Sequence, residues 1–176
     1  MRNRQLNFRE ERVDAKRRIE FIKNNPHPIS LVLDGLSNPR NIASIFRIAE
    51  AARVKCIYGY QMPGLEKEKK FTRISRNTID LVPFKVLENV EQLKLCLTEM
   101  KIVALEITDT SIPYMEYHPE KECCLIIGNE KNGVRPELLQ LAETCIHIPM
   151  YGLNTSMNVA VATGIATFSI LEKILK

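Results

Sequence analysis

The chain lacks the apolar segments that membrane insertion or secretion would require. In its 176 residues no apolar run approaches the roughly 20 residues that span a bilayer. The first ten residues, MRNRQLNFRE, also lack the apolar middle of a signal peptide. We therefore expect a cytoplasmic protein that does not associate with a membrane.

Cysteine and histidine are few and scattered. The cysteines contain no C-x-x-C pair and are odd in number, and the three histidines form no H-E-x-x-H pattern. The five cysteines are Cys56, Cys96, Cys123, Cys124 and Cys145. These absences argue against a disulfide framework and against a zinc site. We expect a reduced protein that holds no metal.

Two common nucleotide-binding motifs are absent as well. No loop has the G-x-G-x-x-G spacing of a dinucleotide site or the GK[ST] ending of a P-loop. What the chain does have is the composition of a soluble globular protein, with 45% hydrophobic and 26% charged residues. Its length indicates one domain with a sizeable core.

Strand-like and helix-like segments alternate along the chain. Strands are predicted at residues 29–34, 55–60, 80–86, 101–107, 123–128 and 145–149. Helices are predicted at residues 7–24, 41–54, 90–100, 135–142 and 156–175. Pro83 cannot donate to a strand ladder, so the third strand is expected at a sheet edge. This alternation indicates an α/β protein, with a mostly parallel sheet and helices on both faces.

The helix after the first strand carries an arginine on its polar side. Asn38 is a possible N-cap and Pro39 suits the first turn. One apolar stripe consists of Ile42, Ile45, Phe46 and Ala49. Arg47 lies on the opposite strip, where the small residues Ala43 and Ser44 leave it room to lean towards the helix N-terminus. A solvated surface charge is the simpler interpretation for a lone arginine.

Positive charge is concentrated in two segments. Residues 1–25 hold eight Lys and Arg against four Asp and Glu, and residues 66–76 hold five against two. The rest of the chain is slightly acidic, although the total is +4. The two segments are either an electrostatic footprint for nucleic acid or two solvated faces.

Four predicted strands end in unusual polar loops. In an open parallel sheet, ligands bind beyond the carboxyl ends of the strands. The four loops are DGLSNPRN (34–41), ALEITDT (104–110), IIGNEKNGVRPE (126–137) and HIPMYGLNTSMN (147–158). Taken singly, each is an ordinary turn: Glu130 could be a surface carboxylate, Ser156 is most simply an N-cap, and Asn158 is also compatible with a cap.

In combination, three segments resemble a known family. NIASIFRIAEA (41–51), IIGNEKNGV (126–134) and IPMYGLNTSMNVAVATG (148–164) resemble the three motifs of the SpoU (TrmH-like) branch of the SPOUT RNA methyltransferases. The resemblance covers residues 29–175, and FTRISRNT followed by VPF is similar to the family's basic substrate loop and the strand after it. One departure is Ala43, where the first motif usually has glycine.

The resemblance implies a fold, an activity and an assembly. These proteins methylate a ribose 2′-hydroxyl of tRNA or rRNA with S-adenosylmethionine, work as homodimers, and bind the cofactor in a C-terminal deep trefoil knot. We accordingly expect a basic helical extension at residues 1–28 and a knotted methyltransferase domain at residues 29–176. We expect a compact tRNA substrate rather than rRNA, since only a basic helix precedes that domain.

The resemblance also implies the site residues. The catalytic positions are Asn41, Arg47, Glu130, Ser156 and Asn158. The cofactor-binding positions are Leu105, Gly128, Ile148 and Met157, of which Ile148 and Met157 also read as core. The RNA-binding cations are Lys69, Lys70, Arg73 and Arg76. Two alternatives stay open: an RNA-binding module that has lost catalysis, and a methyltransferase of this fold that acts on a base nitrogen.

The last predicted helix is apolar around most of its circumference. Such a helix is buried on most sides. In a chain of this size it is either central in the fold or part of a subunit contact. We expect it to contribute to the interface of a homodimer.

Overall fold

One seven-stranded sheet organises the part of the chain that the computed structural model describes, residues 15–62, 81–119 and 122–176. The strands are β1 (Ile29–Asp34), β2 (Ile57–Tyr60), β3 (Phe84–Leu87), β4 (Lys101–Leu105), β5 (Ile112–Pro113), β6 (Cys123–Ile127) and β7 (Thr144–His147). Their order is β3-β2-β1-β6-β4-β7-β5, and every pair of neighbours is parallel. The predicted α/β class is confirmed.

Helices cover both faces of this sheet. They are α1 (Ala15–Asn24), α2 (Pro39–Ala51), α3 (Val90–Leu97), α4 (Pro136–Leu139) and α5 (Val159–Ile174). Apolar residues of α2 and α5 share one core with alternate residues of β1 and β6. Residues of α3 and α4 share a second core with the intervening strand residues. Because β1 and β6 are covered on both faces, every one of their residues is buried.

The predicted edge strand is confirmed. β3 lies at one end of the sheet and begins directly after Pro83. At the opposite end lies β5, whose two residues pair with β7. Sequence analysis missed β5 because two residues are too few to show an alternating pattern.

The start of α2 agrees with its prediction. The Asn38 side chain accepts a hydrogen bond of 2.9 Å from the backbone N–H of Arg40, and Pro39 occupies the first turn. The predicted apolar stripe is buried. Ala43, however, is only 4% exposed and belongs to the core, so it does not lie on the exposed strip with Arg47.

The start of α5 differs from its prediction. The helix begins at Val159 and its N-cap is Asn158, whose side chain accepts from the N–H groups of Ala160 and Val161. The interpretation of Ser156 as an N-cap was therefore wrong. Ser156 lies two residues before the cap, in the loop that leads into the helix.

Several predictions fall outside the described residues. The first part of the predicted helix at 7–24 lies there, and only α1 is described. The cations Lys69, Lys70, Arg73 and Arg76 also lie there. The trefoil knot and the domain boundary after residue 28 stay predictions. Among the described helices, none is long and apolar enough to cross a bilayer.

Candidate active site

A cavity of about 400 Å³ lies where the central strands end. Its walls come from the segments that follow β4, β6 and β7, and from the first turns of α2 and α5. Eight of the nine predicted catalytic and cofactor-binding residues line it: Asn41, Leu105, Gly128, Glu130, Ile148, Ser156, Met157 and Asn158. A second cavity, between the ends of α1 and α2 and the start of β3, contains none of them.

Three of the predicted catalytic side chains form one hydrogen-bonded chain. Asn41 Nδ2 donates to Glu130 Oε1 at 3.1 Å, and Asn158 Nδ2 donates to Asn41 Oδ1 at 3.0 Å. Each bond crosses between segments that are 89 or 117 residues apart in sequence. This series of hydrogen bonds ends at the N-cap of α5, where Asn158 Oδ1 accepts from backbone N–H groups of that helix. The first turn of α2, the loop after β6 and the start of α5 are thereby held together.

The Glu130 carboxylate is held mainly by backbone groups. The N–H groups of Ser37 and Asn38 donate to its two oxygens at 3.4 and 3.2 Å. Partial burial by itself raises the pKa of Glu130. Hydrogen bonds from its own backbone, from Asn41 and from these two amides outweigh that effect and lower the pKa below its ordinary value. Glu130 is therefore a fixed anion at neutral pH.

This arrangement occupies the N-terminus of α2. A helix start can bind a phosphate through its free N–H groups. Here the amides of Ser37 and Asn38 donate to Glu130, and that of Arg40 donates to the Asn38 cap. The anion at this helix end is the protein's own carboxylate, which the helix dipole also favours.

The loop after β6 closes tightly on itself. Asn129 and Gly133 exchange backbone hydrogen bonds of 2.9 and 3.0 Å, and Gly133 has a φ of +67°. A Cβ at Gly128 would lie 2.4 Å from the carbonyl carbon of Gly133 and 2.5 Å from the nitrogen of Val134. Only glycine fits at Gly128, which forms part of the cavity wall.

Glu106 is a cavity residue that sequence analysis missed. It follows β4, and its Oε2 accepts from the N–H of Val134 at 2.8 Å. Its Oε1 accepts from the N–H of Ile107 at 3.0 Å. Glu106 thus joins the loop after β4 to the loop after β6, and it lines the cavity beside Leu105. Its place near the end of the predicted strand 101–107, in a loop already singled out, was a signal that could have found it.

The remaining cavity residues differ in exposure. Leu105, Ile148 and Met157 are half-buried, with their neighbours Ile127 and Val159 completing a largely apolar wall. Ser156 is exposed and makes no hydrogen bond to another described residue. An apolar wall beside a fixed carboxylate and backbone polar groups suits an organic molecule that has both a flat apolar part and polar groups.

Arg47 is the predicted catalytic residue that does not line the cavity. It lies on α2, six residues after Asn41, and its side chain is exposed. Within the described residues the guanidinium has no hydrogen bond or ion pair. Its charge is therefore free to meet a ligand that approaches the cavity from outside.

Comparisons with known proteins show the family to which the chain is similar. The sequence model of the SpoU rRNA Methylase family matches residues 28–168. A tRNA (guanosine(18)-2′-O)-methyltransferase of Aquifex aeolicus is 32% identical over 155 residues, which are 87% of this chain and 73% of the relative.

Solved structures give the same result. The crystal structure of the A. aeolicus TrmH/SpoU tRNA modifying enzyme superimposes with a TM-score of 0.79 at 30% identity, over 93% of this chain and 83% of that one. An AdoMet-bound rRNA methyltransferase from Sinorhizobium meliloti has a TM-score of 0.74 at 26% identity, over 84% of this chain. The match spans 58% of the S. meliloti chain, so it corresponds to only part of that protein.

Proposed function

The chain belongs to the SpoU rRNA methylase family, and we propose that it transfers a methyl group from S-adenosylmethionine to a ribose 2′-hydroxyl of RNA. The observation that carries this proposal is the hydrogen-bonded chain from Glu130 through Asn41 to Asn158. It brings the three family-like segments to one cavity, as an enzyme of this kind requires.

The cavity fits the cofactor. Its volume of about 400 Å³ lies within the usual range of small-molecule sites. Leu105, Ile148 and Met157 would flank the adenosine part, and Gly128 would contribute its backbone to the same wall. When bound, S-adenosylmethionine supplies a methyl group on a positively charged sulfur, which is a strong electrophile.

The protein's own contribution is positioning and charge. Asn41, Glu130 and Asn158 fix the loops around the cavity, so that little reorganisation is needed when a ribose is presented. Arg47 stabilises negative charge as it develops on the ribose oxygen. An arginine stays protonated in proteins, so we assign Arg47 an electrostatic role, with phosphate or water accepting the proton.

Purified protein incubated with S-adenosylmethionine and RNA from cells that lack it tests this function. We expect methylation of one ribose 2′-hydroxyl, because the cavity residues align a single acceptor. The methylated position is mapped by its resistance to alkaline cleavage, since a 2′-O-methyl group blocks the attacking hydroxyl. Methyl groups recovered on a base nitrogen, or no transfer by folded protein with bound cofactor, would contradict the proposal.

We assign tRNA as the RNA substrate. The A. aeolicus relative, which shares 32% identity, is named a tRNA methyltransferase. Under this proposal the cations of the basic segments 1–25 and 66–76 contact the RNA backbone. Such contacts would account for the concentration of positive charge in these two segments of an otherwise slightly acidic chain.

Neutralising one basic segment should flatten the salt dependence of RNA binding. The variant replaces Lys69, Lys70, Arg73 and Arg76 by glutamine. Each lost phosphate contact is expected to reduce the slope of log affinity against log salt by roughly 0.7–0.9. Filter binding at several salt concentrations measures the slope.

A matched control removes the same charge elsewhere. Four exposed lysines outside both segments, Lys85, Lys94, Lys101 and Lys176, are replaced by glutamine. The control should keep most of the wild-type slope. Equal slopes for the two variants would show that only net charge matters and that 66–76 is a solvated face.

We also assign a homodimer. Val161 and Phe168 lie seven residues apart on one side of α5 and are 54% and 49% exposed, and Leu175 continues the same line at 59%. Large apolar side chains in a row on one face are typical of an interaction surface. A second copy packed on this face would bury them.

Phe168→Asp should dissociate the dimer, because it places a charge in an apolar contact. Light scattering after size exclusion measures the mass. The matched control is Leu95→Asp on α3, where an isolated leucine is 80% exposed. A monomeric wild type would contradict the homodimer. A Phe168→Asp variant that stays dimeric would place the subunit contact on another surface.

The protein is assigned to the cytoplasm. All five cysteines are free, and three of them are buried. Free thiols fit a reducing compartment, where disulfides are rare.

A further inference from the structure

An ion pair between a buried carboxylate and a half-buried arginine lies beside the active site but outside its cavity. Asp34, at the end of β1, is fully buried, and its Oδ1 is 3.3 Å from Arg135 Nε. The backbone N–H of Arg135 donates to Oδ2 of the same carboxylate at 2.8 Å. Removing Arg135 would leave the buried Asp34 carboxylate without its cation, so the carboxylate depends on this arginine.

The Arg135 guanidinium reaches beyond this pair to the end of β2. Its Nη1 donates to Gln61 Oε1, and its central carbon lies 5.4 Å from the centre of the Tyr60 ring. Gln61 Nε2 in turn donates to the Tyr60 hydroxyl at 3.1 Å. A Cβ at Gly35, which has a φ of +60°, would lie 2.6 Å from Arg135 Nη2. One side chain therefore packs against the ends of both β1 and β2.

The loop after β6, which carries Arg135, meets the loop between β1 and α2 at two further points. Asn129 Nδ2 donates to the Gly35 carbonyl at 2.7 Å, and Glu130 accepts from the amides of Ser37 and Asn38. Three contacts in succession thus fix the loop after β6 on the loop that leads into α2. Arg135 provides the contact that includes β2 as well.

The position of this cluster separates it from the cofactor. None of its members, Asp34, Tyr60, Gln61 and Arg135, lines the cavity. Gln61, by contrast, lies a few residues before segment 66–76, whose cations are the proposed RNA contacts. Glu130 and Asn41, on the other side, line the cavity and fix the loops around it under the proposed function.

We propose that Arg135 is a positioning residue for the RNA substrate. It aligns the end of β2, where the chain departs towards the basic segment, with the loop that carries Glu130. This inference rests on the proposed function and deepens it by assigning control of the RNA, as distinct from the cofactor, to the Asp34–Arg135–Gln61 cluster.

Kinetics of Arg135→Lys and Gln61→Ala test the proposal. Lysine keeps the charge that Asp34 needs but loses the planar fork that reaches Gln61 and lies over the Tyr60 ring. We expect kcat/KM for RNA to fall roughly 10- to 100-fold in Arg135→Lys, because misplacement of reacting groups by about 1 Å can cost on the order of 100-fold in rate. The Kd for S-adenosylmethionine should stay at its wild-type value.

Two further measurements separate positioning from general stability. Gln61→Ala should produce a smaller loss of the same kind, and the double variant should lose less than the two single losses combined, since both remove one contact. The matched control is Lys101→Gln, which breaks an exposed ion pair with Glu143. This pair lies where β4 and β7 begin, at the opposite edge of the sheet from the cavity. The control should leave all parameters unchanged.

Several outcomes would overturn the proposal. A lower melting temperature with unchanged RNA kinetics would show that the cluster only stabilises the fold. Parallel loss of cofactor and RNA affinity would show that the cluster does not act on the RNA alone. RNA affinity measured without turnover is a second readout. If the wild type transfers no methyl group, the proposed function fails, yet wild-type RNA affinity in Arg135→Lys would still refute the positioning role and a weakened affinity would support it.

Discussion

Arg47→Ala lowers the single-turnover rate of methyl transfer by ~10²–10³-fold, the usual loss when one electrostatic stabiliser of a developing anion is removed. Affinity for S-adenosylmethionine stays unchanged, because Arg47 does not line the cavity. Folding also stays unchanged, since the side chain is exposed and off the buried stripe of α2. Rapid-quench transfer to the mapped RNA, beside cofactor and RNA titrations, measures the three quantities.

Two variants make this test specific. Arg47→Lys keeps the charge but loses the planar fork, so it should recover only part of the rate. Arg40→Ala removes another exposed arginine of the same helix and should leave the rate near that of the wild type. Wild-type transfer by Arg47→Ala would return this residue to a solvated surface charge, and loss of RNA affinity without loss of rate would make it a binding residue.

Gly128→Ala abolishes most of the cofactor affinity. The added Cβ would lie 2.4 Å from the carbonyl carbon of Gly133, which is backbone and cannot rotate away. The loop after β6 has to shift, and overpacking of this kind typically costs ~1–3 kcal/mol, which corresponds to about 5- to 150-fold in binding. The rise in melting temperature that saturating S-adenosylmethionine gives the wild type should largely disappear.

Gly152→Ala is the control for this variant. It lies in the loop between β7 and α5, and a Cβ there would meet no atom within 4 Å. The control should keep the full ligand-induced rise in melting temperature. A normal rise in Gly128→Ala would mean that the loop adapts without effect on the cavity, and no rise in the wild type would argue against the cofactor itself.

Local sequence patterns predicted the elements whose structure depends on the residue types within one short segment. β1 was predicted with its observed bounds because six consecutive residues suit a strand covered on both faces. The Asn38 cap and the Pro39 start of α2 followed from the chemistry of the first turn. The place of β3 at an edge was predicted from Pro83, which cannot donate a ladder hydrogen bond, although the observed strand begins one residue after it.

Contacts between distant segments were less predictable. In sequence Ser156 is the simplest cap and Asn158 is only compatible with one. The second bond of Asn158, to Asn41, is visible only when the two helices are brought together. Glu106 and Arg135 were not singled out from the sequence. Each acquires a role from a partner about 28 or 101 residues away, Val134 and Asp34 respectively.

The sequence by itself determined the alternation of strands and helices, the polar loops at the strand ends and, through the order of three motifs, the family. These are properties of short stretches, where residue type and spacing act directly on the backbone. Only the tertiary structure decided that Asn41, Glu130 and Asn158 form one hydrogen-bonded chain, and that Asp34 and Arg135 meet beside it. The reason is that parallel strands which are far apart in sequence end at one edge, and the sheet order that sets their neighbours is a property of the whole fold.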